Sequence, residues 1–108
     1  MKQVLIDEHI VWLGENAAEN THLINSSDDK YTWVHLKHHP SGHIVIAHES
    51  PSLQTIIHAG ILCLTQTKYR KLKNVSISVT TISNLRLTNT VGEVEFKSNR
   101  RVMSYVIN

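Results

Sequence analysis

The chain has 108 residues, of which 41% are apolar and 19% charged, enough for one compact domain with a core but too short for two. It has no run of about twenty apolar residues, and Cys63 is its one cysteine, so we expect neither a membrane span nor a disulfide framework. The N-terminal segment MKQVLIDEHI has acidic residues where a signal peptide needs an apolar stretch, which favours a cytoplasmic protein.

The formal net charge of +2 is unevenly distributed along the chain. Residues 1–54 contain three lysines and seven carboxylates, whereas residues 55–108 contain eight Lys or Arg and two glutamates. A basic half favours binding to a polyanion. The same composition also fits a protein whose two faces simply differ in charge, so charge alone leaves both interpretations open.

The N-terminal segment predicts a hairpin followed by a short helix. Residues 2–6 and 9–13 are β-rich runs on either side of Asp7-Glu8, which predicts two strands joined by a tight acidic turn. Gly14 ends the second strand. Residues 15–24 contain good helix formers with apolar residues at helical spacing, so we expect one short helix there.

A second hairpin is predicted around a histidine-rich turn. In residues 31–36 the side chains alternate, which places Tyr31, Trp33 and His35 on one face of a strand. Residues 43–48 form a second β-rich run, and the turn between the two contains Pro40 and Gly42. We expect the two strands to pair.

The clearest helix is predicted from Ser50 to Thr67. Ser50 suits the N-cap and Pro51 suits the first helical position. Residues at spacings of three and four form a stripe that we expect to be buried against the sheet: Leu53, Ile56, Ile57, Gly60, Cys63, Leu64 and Thr67. Four cations are expected at the C-terminal end, where they suit the helix dipole: Lys68, Arg70, Lys71 and Lys73.

The remaining residues predict three more strands, within residues 75–82, 92–96 and 101–107. Several strands with one long and one short helix indicate an α+β fold. We therefore predict that residues 1–108 form a single compact domain, with a mostly antiparallel sheet packed against the two helices.

Five of the eight histidines lie between Thr32 and His48, which raises the question of a metal site. His35, His38, His39 and His43 have the spacing H-x2-H-H-x3-H, but no cysteine or carboxylate lies between His35 and His48. We expect no metal ligands here. Instead His35 and His43 are expected to hydrogen-bond backbone carbonyls and hold the turn.

The sequence gives little support for nucleophilic catalysis. Ser41 or Cys63 would need a positioned base and oxyanion donors. Cys63 lies on the apolar helix stripe, which predicts a buried and inert thiol. No glycine-rich phosphate loop is present, so we expect no catalytic residue and no cofactor. A metal-dependent or hydrolytic enzyme based on His35 and His43 stays as an alternative.

The order of these segments resembles the NFACT-R domain of NEMF- and RqcH-type ribosome quality-control factors and of small stand-alone eukaryotic proteins. The resemblance includes the segments IVWLGENAAENTHL, TWVHLKHHPSGHIVI, TKYR, VSISVT and SNLRLTNTVGEVEF, and therefore covers almost the whole chain. The motif positions it identifies are Trp33, His35, Pro40, Ser41, His43 and Gly92. His38 and His39 match no position of the motif.

The sequence also departs from the family pattern. Glu15 stands where the family often has a basic residue, and Val34 replaces a phenylalanine. The loop before Gly92 has Arg86 where many members have several lysines. The chain lacks the other parts of the long family members, so we expect that it does not direct tail addition to stalled chains by itself.

The resemblance implies a module that binds nucleic acid, with RNA such as tRNA or ribosomal RNA as the expected ligand, in translation or ribosome quality control. DNA is a further candidate ligand, and the ribosome or another protein is a candidate partner. The expected contact residues are Lys37, His38, Lys68, Arg70, Lys71, Lys73, Arg86, Arg100 and Arg101, placed on one surface. Trp33 and Tyr69 can stack on bases, although a strand tryptophan is more often in the core. A protein–protein adaptor that kept the fold without binding nucleic acid is the main alternative.

Overall fold

The computed structural model describes all residues from 1 to 108 and contains eight strands and two α-helices. In chain order they are β1 (Lys2–Ile6), β2 (His9–Leu13), α1 (Ala17–Ser26), β3 (Thr32–Leu36), β4 (Ile44–Ile46), α2 (Leu53–Thr65), β5 (Ser76–Thr81), β6 (Leu85–Leu87), β7 (Val94–Phe96) and β8 (Met103–Val106). Short 3-10 helices at Ile82–Asn84 and Asn99–Arg101 connect the later strands. Neither α-helix has the length and apolar character needed to cross a membrane.

Six strands form one antiparallel sheet in the order β1-β2-β4-β3-β5-β8, and β6 and β7 form a separate two-stranded ribbon. The predicted hairpins and the α+β class are confirmed. In the first hairpin Asp7 (φ 49°) and Glu8 (φ 70°) both have left-handed backbones, as a two-residue type I′ turn requires. The Asp7 carboxylate accepts a hydrogen bond of 2.9 Å from the Thr55 hydroxyl, which ties this turn to α2.

Both faces of the sheet are covered, so the domain has three layers. The alternation of β3 sends Val34 and Leu36 to one face and Trp33 and His35 to the other, as predicted. The first face packs on α2 in a core that includes Val11, Val34, Ile44, Ile56, Cys63, Ile77 and Val79. The second face packs on α1 and the β6–β7 ribbon, in a smaller core of Leu23, Ile24, Trp33, Val45, Ile82 and Leu85.

The predicted bounds of α2 were wrong at both ends. The N-cap is Ser52, whose hydroxyl accepts a hydrogen bond of 3.2 Å from the Thr55 amide, so Ser50 and Pro51 lie outside the helix. Leu53 in the first turn is 54% exposed because it lies beyond the buried stripe, whereas Ile56 and Cys63 are buried as expected. Ile57 is half-buried at the edge of the core.

The C-terminal end of α2 also differs from the prediction. The helix ends at Thr65, and the Thr67 amide and hydroxyl both donate to the Leu64 carbonyl, at 3.0 Å and 2.8 Å. No basic residue lies in its last turn. The cations that begin at Lys68 therefore lie beyond the helix, in the connection from α2 to β5.

The helix α1 begins and ends two residues later than the predicted residues 15–24, and side chains at its N-terminal end cap it. Asn16 accepts a hydrogen bond of 2.9 Å from the Glu19 amide, and the Glu19 carboxylate accepts one of 3.0 Å from the Glu15 amide. The helix buries Asn20, Leu23 and Ile24 against the sheet. Its first turn is thereby held beside the β3–β4 turn, where the functional site lies.

Candidate nucleic-acid interface

An open cleft of about 840 Å³ lies where β3 ends. Its floor contains Trp33, His35 and His43. Its walls are the start of α1 with the two residues before it (residues 15–17), the β6–β7 loop with the first residue of β7 (residues 90–94), and the connection after α2 (residues 66–69). We refer to this space as the cleft.

The β3–β4 turn at the cleft is held by Ser41 and Gly42. The Ser41 hydroxyl accepts a hydrogen bond of 3.2 Å from the Leu36 amide and donates one of 3.1 Å to the Gly42 carbonyl. Gly42 packs against the backbone of Gly14, where a β-carbon would lie 2.2 Å from the Gly14 carbonyl oxygen. The turn therefore closes onto the end of β2 only with glycine at position 42.

Asn20 connects α1 to the same turn, a role that the sequence analysis missed. Its side-chain oxygen accepts a hydrogen bond of 3.1 Å from the His43 amide, and the His43 carbonyl accepts one of 3.0 Å from the Gly14 amide. Asn20 is buried on the apolar face of α1. The sequence did contain a signal for this role, because Asn20 is a single asparagine on the apolar face of the helix, one turn after the Asn16 cap.

The floor of the cleft is a cluster of packed rings. The Trp33 and His35 rings stack in parallel, with centroids 5.5 Å apart and an interplanar angle of 2°. His43 meets Trp33 edge-on at 5.5 Å and His35 edge-on at 4.9 Å, and Phe96 meets Trp33 edge-on at 5.6 Å. Trp33 is only 2% exposed, so the interpretation of this residue as core is confirmed.

Burial keeps both floor histidines neutral. Burial lowers the pKa of His35, although the carbonyls of Leu36 and Ser41 partly offset this effect. Burial, together with the neighbouring His35, lowers the pKa of His43 to about 3. His35 donates from Nδ1 to the Leu36 carbonyl at 2.6 Å, as expected for a residue that holds the turn. The same expectation was wrong for His43, because its buried Nδ1 has no hydrogen-bond partner.

The histidines of the turn do not converge on a metal-binding arrangement. No group of three His, Cys, Asp or Glu side chains lies close enough to share a metal ion. His39 stacks on Tyr69 at 4.4 Å, and the neighbouring His38 is exposed. Burial raises the pKa of the Cys63 thiol, which donates a weak hydrogen bond of 3.5 Å to the Gly42 carbonyl.

Five of the predicted contact cations line the cleft or follow in the connection after α2 that forms one of its walls, and we call them the basic rim: Lys37, Lys68, Arg70, Lys71 and Lys73. All five are exposed. Lys37 and Lys68 line the cleft itself, and the Lys68 ammonium lies 5.5 Å from the centre of the half-buried Tyr69 ring. The Lys37 amide donates to the Ser76 carbonyl at 2.9 Å, which fixes this end of β3 beside the start of β5.

The other predicted cations lie elsewhere, so the structure does not gather all of them on one surface. The Arg101 guanidinium donates to the hydroxyls of Thr81 and Ser83, at 3.2 Å and 3.1 Å. Thr81 ends β5, about 17 Å along the strand from Ser76 at roughly 3.3 Å per residue. Arg100 precedes Arg101 in the same 3-10 turn, and Arg86 forms an exposed ion pair of 3.2 Å with Glu95 on the β6–β7 ribbon.

Comparison with known proteins identifies the family. The model of the NFACT protein RNA binding domain matches residues 4–98. The chain belongs to the NFACT RNA-binding domain family.

A solved structure agrees with this assignment at the level of the fold. The C-terminal part of the fibronectin/fibrinogen-binding protein from Streptococcus suis superposes with a TM-score of 0.87 at 21% sequence identity. The match covers 97% of this chain but 43% of that one, so the NFACT domain described here spans less than half of its structural relative. No curated protein matches the chain.

All six motif positions of this NFACT domain line the cleft: Trp33, His35, Pro40, Ser41, His43 and Gly92. Gly92 has a φ of +83° and donates a hydrogen bond of 2.7 Å to the Thr21 hydroxyl. A β-carbon at this position would lie 2.7 Å from Ala17. The glycine is therefore needed both for the backbone conformation and for the close approach of the β6–β7 loop to α1.

Proposed function

We propose that this domain binds RNA, either tRNA or ribosomal RNA, and that the basic rim and the cleft form its contact surface. The observation that supports this most directly is the juxtaposition of the two features. Two exposed cations of the basic rim, Lys37 and Lys68, line the cleft that contains all six motif residues, and the other three follow Lys68 in the same connection. Lysine and arginine side chains provide affinity for phosphates without selecting a sequence.

We further propose that the domain acts in a process that uses structured cytoplasmic RNA. Family membership supports a role in translation or in ribosome-associated quality control, in the cytoplasm. DNA presents the same phosphate chemistry and is a second ligand to test. The cleft favours RNA with unpaired nucleotides, because aromatic rings at its floor and walls suit exposed bases and not a closed duplex.

A protein partner is the second candidate, supported by the outer edge of the sheet. Ile61 of α2 is 38% exposed and lies beside Val4 and Ile6 of the edge strand β1 in a shallow apolar depression. The structural relative from Streptococcus suis is named for binding fibronectin and fibrinogen. This surface lies on the α2 side of the sheet and is separate from the cleft.

The test compares two double charge reversals with equal effects on net charge. Lys68→Glu with Lys71→Glu alters the basic rim, whereas Lys30→Glu with Lys97→Glu alters exposed lysines outside it. We expect the first pair to abolish binding of labelled tRNA at low salt and the second to leave most of it. Equal loss in both variants would mean that net charge alone drives association. Absence of tRNA and DNA binding by the wild type would leave the protein-partner candidate.

A further inference from the structure

The floor of the cleft contains two buried polar atoms without a hydrogen-bond partner. They are Nε1 of Trp33 and Nδ1 of His43, and no other buried side-chain nitrogen or oxygen lacks a partner. Burying such a group without a partner destabilises the folded state. Both residues line the cleft, so a molecule that enters it and displaces the side chains covering these two atoms can supply the missing partners.

The chemistry of the cleft favours an uncharged, flat ligand over a phosphate. Its charged lining consists of Lys37 and Lys68 balanced by Glu15 and Glu93. The imidazole rings at the floor are neutral at physiological pH, because burial lowers the pKa of His35 and of His43. An anion deep in the cleft would therefore meet no excess of positive charge, whereas the basic rim outside provides one.

The cleft also has aromatic rings in its lining and a volume that suit a nucleoside. Phe96 and Tyr69 are half-buried rings that both line the cleft, and aromatic rings stack on any base regardless of its identity. A volume of about 840 Å³ lies within the range of pockets that hold small molecules, roughly 300–1,000 Å³. The space is therefore large enough for a nucleoside.

We propose that the cleft holds one unpaired base of the bound RNA strand, with the Trp33 indole N–H donating to a ring nitrogen or carbonyl oxygen of that base. The phosphate of the same nucleotide stays at the mouth of the cleft, where Lys68 is followed by the cations of the basic rim that do not line the cleft: Arg70, Lys71 and Lys73. His43 Nδ1 provides a second polar contact at the floor. This inference depends on the proposed RNA-binding function and adds to it the position of one base and the polar atoms that contact it. Because Trp33 is only 2% exposed, entry of the base requires a wall of the cleft to move aside.

The two tryptophans allow a direct test by nitrogen-15 NMR of their indole N–H signals. Trp12 is the internal control: its Nε1 already donates to Gln3 Oε1 at 3.1 Å, and it does not line the cleft. Trp12→Phe assigns the two signals. The probes are a short single-stranded RNA, a blunt RNA duplex of equal length, and inorganic phosphate.

We expect the single strand to shift the Trp33 signal and leave the Trp12 signal in place. The duplex should bind to the basic rim, seen in the backbone signals of residues 68–73, without moving the Trp33 signal, and phosphate should not move it either. If the single strand shifts only the signals of the basic rim, the base-binding inference is wrong and the proposed RNA-binding function stands. If neither RNA shifts any signal at low salt, both are wrong.

Substitutions give an independent measurement. Trp33→Phe removes the N–H and keeps an aromatic ring, so affinity for the single strand should fall roughly three- to tenfold, the value of one hydrogen bond. Duplex affinity should not change. Tyr69→Leu, at a half-buried position, is the second variant in case Trp33→Phe unfolds, and it should show the same selective loss. Equal losses for the single strand and the duplex in a folded variant would contradict the proposal.

Discussion

Gly42 packs so closely against Gly14 that a β-carbon on Gly42 would lie 2.2 Å from the Gly14 carbonyl oxygen. Neither backbone can move freely, because the Gly14 amide is bonded to the His43 carbonyl at 3.0 Å and Ser41 holds the other side of the turn. This contact joins the first hairpin to the second and sets the position of the cleft.

Gly42→Ala should therefore destabilise the domain by at least about 1–3 kcal/mol, the range of overpacking in a filled interior. Gly60→Ala in α2 is the matched control. Its β-carbon would lie 3.0 Å from atoms of the Ile77 and Ile107 side chains, which can adjust, and alanine favours a helix. Urea denaturation of both variants measures the difference. A Gly42→Ala variant as stable as Gly60→Ala would show that the turn is not held as described.

Asn20→Ala should cost about 1–3 kcal/mol of stability, because it leaves the buried His43 amide without an acceptor. Asn25→Ala, at an exposed position of the same helix, controls for the change in helix propensity. The two variants are compared by thermal or chemical unfolding. In the Asn20 variant the His43 amide should also exchange with solvent faster, and an unchanged exchange rate would contradict the assignment.

His43 should make stability depend on pH in the acidic range. Its pKa is lowered to about 3 from the ordinary value of 6.5, so the unfolded chain takes up a proton before the folded domain does. The stability of the folded domain with neutral His43 is therefore fully present above pH 6.5. As the pH falls towards 3, the free energy of unfolding decreases by up to about 1.4 kcal/mol per pH unit. The measurement is the free energy of unfolding against pH for the wild type and His43→Gln. Parallel curves for the two proteins would contradict this prediction.

Ile56→Asp and Leu53→Asp should differ sharply although both lie on the predicted stripe of α2. Ile56 is buried in the core, and an unpaired carboxylate there should cost several kcal/mol and unfold the domain. Leu53 is 54% exposed, so the same substitution should change stability by no more than about 0.5 kcal/mol. Circular dichroism during heating distinguishes the two. Equal destabilisation would place Leu53 in the core after all.

Arg100 and Arg101 should contribute to the affinity for long RNA ligands more than to the affinity for short ones. They lie at the opposite end of β5 from Lys37, about 17 Å away at roughly 3.3 Å per residue. A tRNA can span that distance, whereas a short oligonucleotide of about three nucleotides on the basic rim cannot, since stacked nucleotides rise about 3.4 Å each. Arg100→Glu with Arg101→Glu should weaken tRNA binding and flatten its log–log salt dependence by about 0.7–0.9 per lost phosphate contact. Affinity for the short oligonucleotide should stay unchanged. An equal loss of affinity for both ligands would contradict the separation of the two arginines from the basic rim.

Local patterns predicted most of the secondary structure. The alternation in β3 predicted which residues face α2, and the Asp7-Glu8 turn predicted the first hairpin. The start of α2 was misplaced because Ser50, Pro51 and Ser52 all favour a helix N-terminus, and only the hydrogen bond from the Thr55 amide to Ser52 decides between them.

The site was harder to predict because it depends on contacts between distant segments. Arg101 lies apart from the basic rim because β8 pairs antiparallel with β5, and no local pattern encodes that strand order. The missing partner of His43 depends on the packing of α1 and the β6–β7 loop around the turn. The resemblance to the NFACT-R domain identified the motif residues, but not the fact that they share one cleft.

The strand order has a consequence for how the chain folds during synthesis. Strands β1, β2, β4 and β3 are adjacent in the sheet and are all contained in residues 2–46, joined by short connections and one helix. They can pair before the rest of the chain leaves the ribosome, since such local contacts form early. Until α2 emerges, one apolar face of this half-sheet, with Val11, Val34 and Ile44, is exposed to water. The nascent chain is therefore most prone to aggregation in the interval between the synthesis of β4 and that of α2.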